Sequence, residues 1–480
     1  MARIPHLSRR RRIGVLLICS TSLFMVGLDI TAVNVALPSI GRELHAQLSW
    51  LQWTVSAYTV VMASLLLLSG SMADRLGRRR TLVTGLVVFT VASLLCSLAT
   101  SVELLVAFRV LQGIGASMLN PVAMSIITNT FTEPRERAQA VGVWGAVFGA
   151  SMALGPIVGG TLISSAGWPW IFVMNVPLGL AAIALTLRFV PESRADDPRR
   201  FDPVGQLLVV ILLASVTYGI IEGPSAGWTS PPIVAIFATA AGALLGLVRY
   251  EPGREQPLID LRFFRSIPFS ASIALAVAAF ASFGGFLFLN TLYLQDVRGL
   301  TPVEAGVAVM PIALMTVLLS PVSGRLVGRS GPRTPLVIAG VASAVGCSML
   351  VGVGPSTPFA WLVAAYVVFG IGFGFVNAPI TNAAISGMPR EQAGVAAALA
   401  TTSRQFGQAI GVAITGAIVA SGATGGARAA GLSSAAHPAW WTLTALGALM
   451  LVLGLVATGR RAGESARRTA GLLNPEALPA

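Results

Sequence analysis

The chain has 480 residues, 55% of them hydrophobic and only 11% charged, with a mean hydropathy of +0.79 and a formal net charge of +13. No water-soluble domain of this size has that balance, and apolar runs of about 18 or more residues, each able to span a bilayer, recur along the whole length. The positive charge does not point to nucleic acid: all 32 basic residues are Arg, none is Lys, and they gather in alternate loops, the positive-inside pattern of a polytopic membrane protein.

Arg9 to Arg12, followed by an apolar run, superficially resemble a signal peptide. The run continues through Asp29 to Leu37 without an A-x-A site, so an uncleaved first helix is expected. Fourteen transmembrane helices are predicted, near residues 13–37, 50–70, 81–100, 102–128, 138–164, 169–190, 204–222, 233–250, 268–294, 303–327, 335–353, 359–386, 393–421 and 439–458. An even count puts both ends on one side. Of the Arg residues in loops, only Arg42, Arg298 and Arg428 then fall on the opposite face, so both termini are expected to be cytoplasmic.

Without Lys, the P-loop pattern G-x-x-x-x-G-K-[ST] cannot form, so ATP hydrolysis by that route is excluded and transport would draw on a gradient. Cys19, Cys96 and Cys347 lie far apart in apolar segments and suggest neither a disulfide framework nor a metal cluster. His6, His45 and His437 fall in the tail or in loops, leaving no buried histidine as a proton relay.

An internal repeat pairs Gly70, Arg75, Gly77 and Arg79 with Gly324, Arg329, Gly331 and Arg333. At nearly the same offset, Gly113, Gly115 and Asn120 pair with Gly370, Gly372 and Asn377. Duplicated halves are common in secondary transporters, which bind substrate near the bilayer midplane. The expected organisation is an N-terminal six-helix bundle (1–190), a cytoplasmic linker with two inserted helices (191–267), a C-terminal six-helix bundle (268–460) and a cytoplasmic tail (461–480). The polar run PESRADDPRRFD is the linker, and Asp202-Pro203 reads as an N-cap followed by Pro at the first helical position.

Asp29 is the one acid of 19 that falls well inside an apolar segment. An intramembrane carboxylate is costly and marks a functional candidate. Helix 1 rises about 1.5 Å per residue, which puts Asp29 roughly 24 Å above the inner end; Arg109, descending in helix 4, lies roughly 10 Å below the outer end. In a core of about 30 Å both occupy the outer half. Burial disfavours an ionised carboxylate and a nearby guanidinium favours it, so a change in water access or separation would load or release a proton. The alternative is a static ion pair holding helices 1 and 4.

In GSMADRLGRRR, Gly70 would permit close helix approach and Gly77 a tight turn. Asp74 could cap a helix or pair with Arg78, while Arg75 could reach a carbonyl end or a lipid phosphate; the plain alternative is a positive-inside anchor. In the second copy Gly328 stands where Asp74 does, so that copy looks degenerate. In GPIVGG, Pro156 removes a helix hydrogen bond, and Gly155, Gly159 and Gly160 leave a surface for close packing. Arg404 lies about a dozen residues into helix 13, far for snorkelling to an interface. Asn34, Tyr58, Gln112 and Arg404 are candidate substrate-cavity residues. Glu222, Asp296 and Glu304 read as rim charges, and Trp50 and Trp53 as an interfacial belt.

Together LDITAVNVALP, GSMADRLGRRR, FRVLQGIGAS, GPIVGG and WPWIFVMNVPLG, in order and correctly spaced, resemble the major facilitator superfamily, specifically its 14-helix drug:proton antiporters. Pro169 departs from the pattern, standing where the family usually has a basic residue. The resemblance covers nearly the whole chain. It implies an all-α membrane protein with the major facilitator fold. It assigns Asp29 and Arg109 to proton coupling, Gly70, Asp74, Arg75, Gly77 and Arg78 to a conformational latch, and Gly155, Pro156, Gly159 and Gly160 to a motif that marks exporters. The expectation is a monomeric, non-enzymatic exporter of a drug or antibiotic, driven by protons, with no cofactor, no metal and no nucleic acid. A transporter of an endogenous metabolite, and a membrane protein that transports nothing, remain the alternatives.

Overall fold

The computed structural model describes residues 8–195, 201–254, 256–386, 388–389, 392–422 and 428–473. Residues 196–200 of the linker and the ends of both tails lie outside the described residues.

The first helices are α1 (Arg9–Glu43), α2 (Leu48–Leu76), α3 (Arg78–Ser97), α4 (Val102–Thr130) and α5 (Pro134–Ala166). The predicted sixth helix is broken into α6 (Trp170–Val173) and α7 (Asn175–Phe189). Pro177 explains the break: its ring clashes with the carbonyl of Val173, one turn back. Next come α8 (Pro203–Ala226), α9 (Pro231–Tyr250) and α10 (Ile267–Leu292), which ends in a wider π-type turn, Tyr293–Val297. The predicted tenth helix is also broken, into α11 (Pro302–Ala308) and α12 (Met310–Ser330), with Pro311 aimed at the Val307 carbonyl in the same way. The remaining elements are α13 (Arg333–Ser348), α14 (Phe359–Ile385), α15 (Ala393–Gly422), α16 (Arg428–Ala457) and α17 (Arg460–Leu473).

Thirteen of these segments are long and apolar enough to cross a membrane, and α13 is a shorter apolar helix. Together they account for the fourteen predicted spans. Outward-facing Leu180, Leu207, Leu245, Leu314 and Val452 are each more than half exposed. Apolar surface of that extent suits lipid, not water. The protein is a multi-pass membrane protein.

The chain divides into two compact units, Met1–Pro203 with Leu300–Val307, and Val204–Gly299 with Ala308–Ala480. In the first, α1 packs on α5, α2 and α3 pack on α4, and α3 packs on α7. Arg12 pairs with Glu136 where α1 meets α5. In the second, α10 packs on α15 and α16, α13 on α14 and α16, and α12 on α14. Segment 461–480, expected to be a tail, is helical through Leu473, and the Ser465 hydroxyl accepts from the Ile267 N–H at 3.0 Å.

The sequence repeat is a structural repeat. Gly77 (φ +114°) and Gly331 (φ +79°) each close one helix before the next begins. A Cβ on Gly115 would meet the Phe89 backbone N at 2.5 Å, and one on Gly372 would meet the Ser343 N at 2.7 Å. Gly179 packs on Thr90 as Gly447 packs on Ala344, and Gly27 on Ser151 as Gly284 on Gln408. These contacts fix which residue of one repeat corresponds to which residue of the other.

Candidate functional site

Asp29 and Arg109 meet inside the first unit. Arg109 Nη1 donates to Asp29 Oδ2 at 2.6 Å, and both side chains are 1% exposed. By contrast, Arg12–Glu136, Arg78–Asp74 and Arg262–Asp260 each leave one partner at least a third exposed. The two residues lie together, as the depth argument from sequence expects.

The pair is the centre of a polar network drawn from six helices. Gln112, one turn beyond Arg109 on α4, donates from Nε2 to Asp29 Oδ1 at 3.0 Å and accepts from Arg109 Nη1 at 2.6 Å. Asn175, at the start of α7, donates to Asp29 Oδ1 at 3.1 Å and to Ser93 Oγ of α3 at 3.1 Å. Ser93 also accepts from Gln112 at 3.3 Å and donates to the Phe172 carbonyl at 3.0 Å. From α2, the Thr54 carbonyl accepts from Arg109 Nε at 3.0 Å, and the Tyr58 ring lies 4.1 Å under the guanidinium. Buried ions demand this degree of satisfaction.

Asp29 has no idle oxygen. Oδ2 faces an Arg109 N–H, and Oδ1 faces two amide N–H groups. These bonds take three of the roughly four lone-pair sites of a carboxylate, and a proton on the remaining Oδ2 site would weaken the charge-assisted bond to Arg109. Two unmet groups lie within the network, Asn175 Oδ1 and the Tyr58 hydroxyl, both buried without a partner. Rotating the Asn175 amide would present an acceptor to a protonated Asp29.

The second unit shows that this fold does not need the charges. By the correspondence above, Phe286 stands where Asp29 does, Tyr366 for Arg109, Phe369 for Gln112, Cys347 for Ser93, Leu443 for Asn175 and Trp440 for Phe172. Phe286 stacks on Phe369 with centroids 4.2 Å apart and meets Trp440 edge-on at 5.6 Å. Aromatic packing therefore holds the same helix crossings, and replacing a buried ion pair with apolar packing is often neutral or stabilising. An ion pair is therefore not the only way to hold these crossings.

Three of the expected cavity residues are buried. Tyr58 and Gln112 are fully buried in the Asp29 network. Asn34 is 2% exposed and bonds the Ile30 carbonyl of its own helix at 2.8 Å. Arg404 is in the second unit and is half-buried.

The GSMADRLGRRR loop is tied to the linker of its own unit. Asp74 Oδ1 pairs with Arg78 Nη2 at 2.8 Å. Arg78 N–H donates to the Ser193 carbonyl at 2.9 Å, and Ala195 N–H to the Asp74 carbonyl at 3.1 Å. Glu192, which no sequence pattern marks, caps α3: its carboxylate accepts from the Arg79 and Arg80 N–H groups at 3.0 and 3.3 Å. Gly77 is required for its positive φ, and a Cβ there would also push aside the Glu192 carboxylate, whose Oε1 would lie 2.6 Å away. Nothing lies within 4 Å of a Cβ built on Gly70, so the close approach expected there is not seen; Arg75 is exposed. Glu192→Gln keeps the shape but loses the charge at a helix N-terminus, worth about 0.3–1 kcal/mol; a slightly lower thermal midpoint in detergent is expected, with Glu192→Ala lower still.

GPIVGG packs on two sides. Gly155 abuts Thr31 and Gly159 abuts Ala32, both on α1, while Gly160 and the Pro156 carbonyl abut Pro302 and Gly306 of α11. The α1 contacts lie within a turn of Asp29. Among the described residues, no group of three or more His, Cys, Asp or Glu could hold a metal ion.

Residues 19–412 match the Major Facilitator Superfamily, and the chain belongs to that family. It is 35% identical over 411 residues to the multidrug resistance protein Stp of Mycobacterium tuberculosis, covering 86% of this chain and 76% of that protein. It is 37% identical over 418 residues to the tetracenomycin C resistance and export protein of Streptomyces glaucescens, covering 86% and 77%. To the methylenomycin A resistance protein of Streptomyces coelicolor it is 35% identical over 406 residues, covering 83% and 84%. Among solved structures, the peptide transporter POT with sulfate aligns at TM-score 0.68 and 15% identity, over 97% of this chain and 98% of that one. The D-xylose-proton symporter aligns at 0.66 and 14%, over 92% and 97%. These two comparisons speak to the fold alone.

Removing the Asn175 amide tests its place in the network. Leu443 fills the matching position in the second unit, so Asn175→Leu should still fold. A hydrogen bond to a charged group favours the charged form by about 1.5–3 kcal/mol. Losing this one should move the pH of half-maximal transport upward, read from initial rates in vesicles across a pH series.

Proposed function

We propose that this chain exports a drug or antibiotic across the cytoplasmic membrane in exchange for protons, by alternating access. The carrying observation is the enclosed Asp29–Arg109 pair, with both side chains 1% exposed, at a position where the second unit packs plain aromatics. The export direction is supported by the relatives' names, which speak of resistance and export.

In this mechanism Asp29 takes a proton from the outer side, and its bond to Arg109 gives way. Arg109 is not stranded, because the Thr54 carbonyl, Gln112 Oε1 and the Tyr58 face still hold it. Proton loss to the cytoplasm restores the pair. The cycle moves α1 against α4, and GPIVGG of α5, packed on α1, carries that shift onward. The protein works as a monomer with both termini cytoplasmic, forms no covalent intermediate and needs no cofactor beyond the proton gradient.

The test uses liposomes containing the full chain and a compound to which its expression confers resistance in an exporter-deficient host. Adding that compound should drive protons in the direction opposite to its own movement. Protons and compound moving together would instead indicate uptake by symport, and no compound-dependent proton movement would end the coupling proposal.

A further inference from the structure

Arg404 is a guanidinium at the middle of a membrane-spanning helix with no carboxylate partner among the described residues. Its bonds run from Nη2 alone, to Thr381 Oγ1 at 2.5 Å and to the Asn377 carbonyl at 3.4 Å, both neutral. Its Nε is buried with no acceptor. Phe280 lies 6.0 Å from its guanidinium carbon. One turn along the same face of α15, Gln408 is 4% exposed, and its Nε2 also lacks an acceptor. A charge at such depth is expensive unless it meets an opposite charge.

The correspondence between the repeats sharpens this. Counting back one turn from the Ser151–Gln408 match, Val147 of the first unit stands where Arg404 does. The fold position accepts a short, uncharged aliphatic side chain, so the guanidinium is no requirement of packing. An uncompensated cation beside a second unmet donor is complementary to an anion, and a guanidinium suits planar, two-oxygen anions best.

We infer that Arg404, with Gln408 beside it, forms a subsite for an organic anion, and that the exported compounds include acids: carboxylates, or ionised enols and phenols. Arg404 supplies the charge and the fork, Thr381 fixes its Nη2 side, and the unmet Nε is left for the ligand. The same charge repels cationic drugs. This inference rests on the export reading, but it is tested by binding alone and so can fail separately. Export itself fails only if expression confers resistance to no compound.

The probes are rhodamine 110, a xanthene dye with a free carboxylate, and its methyl ester, rhodamine 123. Each is titrated by fluorescence polarisation against the purified full chain in nanodiscs. Wild type should bind the acid about tenfold more tightly than the ester, a difference of about 1.4 kcal/mol. Arg404→Gln should remove that preference by weakening the acid alone. Arg404→Lys should keep part of it, because the charge survives and the fork does not. Equal binding of the two dyes by wild type, binding of neither, or a preference that survives Arg404→Gln overturns the proposal. The wild-type comparison stands even if a variant fails to fold.

Discussion

Asp29→Asn should abolish proton-driven export while leaving the protein inserted and able to bind its substrate. Asn is nearly isosteric, keeps a carbonyl for Arg109 and cannot titrate. Losing a positioned proton-transfer group typically costs a factor of about 100 or more, so uphill export in energised vesicles should fall by roughly that much. Drug exchange without a proton gradient should persist, because it requires the conformational cycle but no net proton movement. That contrast separates a coupling defect from general damage. A mutant that still exports uphill at the wild-type rate removes Asp29 from the mechanism.

Arg109→Leu should be the more damaging change, because it strikes stability first. It leaves Asp29 as a buried carboxylate with only the Gln112 and Asn175 amides for support. Breaking a buried pair from one side costs about 3–5 kcal/mol, whereas replacing both charges is often close to neutral. The double variant Asp29→Asn/Arg109→Leu should therefore recover much of the folded yield lost in Arg109→Leu. It should recover none of the coupled export. Folded yield by size-exclusion chromatography and thermal midpoint in detergent read the first outcome, and vesicle transport reads the second. A double variant as unstable as Arg109→Leu would mean that the charges serve packing after all, against the example of Phe286 and Tyr366.

Different parts of this architecture are legible in the sequence to different degrees. The fourteen spans follow from apolar length alone. Rise per residue puts Asp29 and Arg109 at one depth, and Gln112 lies on the same face of α4 as Arg109; that the pair meets depends on how α1 and α4 face each other. Ser93 and Asn175 carry no such signal, since small polar residues are common in membrane helices and pair locally as readily as across helices. Asn175 sits in the run WPWIFVMNVPLG, but its place at the start of α7 and its bond to Asp29 are seen only in the fold. That break, and the one between α11 and α12, can be read from Pro177 and Pro311 by looking one turn upstream. Glu192 cannot be placed from sequence, because a linker has no periodicity to fix which helix end it reaches. The α17 helix is legible in principle: Ala462, Ala466 and Thr469 recur at helical spacing and are buried, but so short a polar segment suggests a tail. Gly70 misleads because a glycine that permits close approach does not require it.

On the proposed mechanism Asp29 gives up its proton as part of handling substrate, and that proton can be counted with purified protein in weakly buffered detergent, a pH-indicating dye and a compound the protein exports. Wild type should release protons when the compound binds, and Asp29→Asn should bind the compound yet release none. Equal proton release by the two proteins would contradict that mechanism.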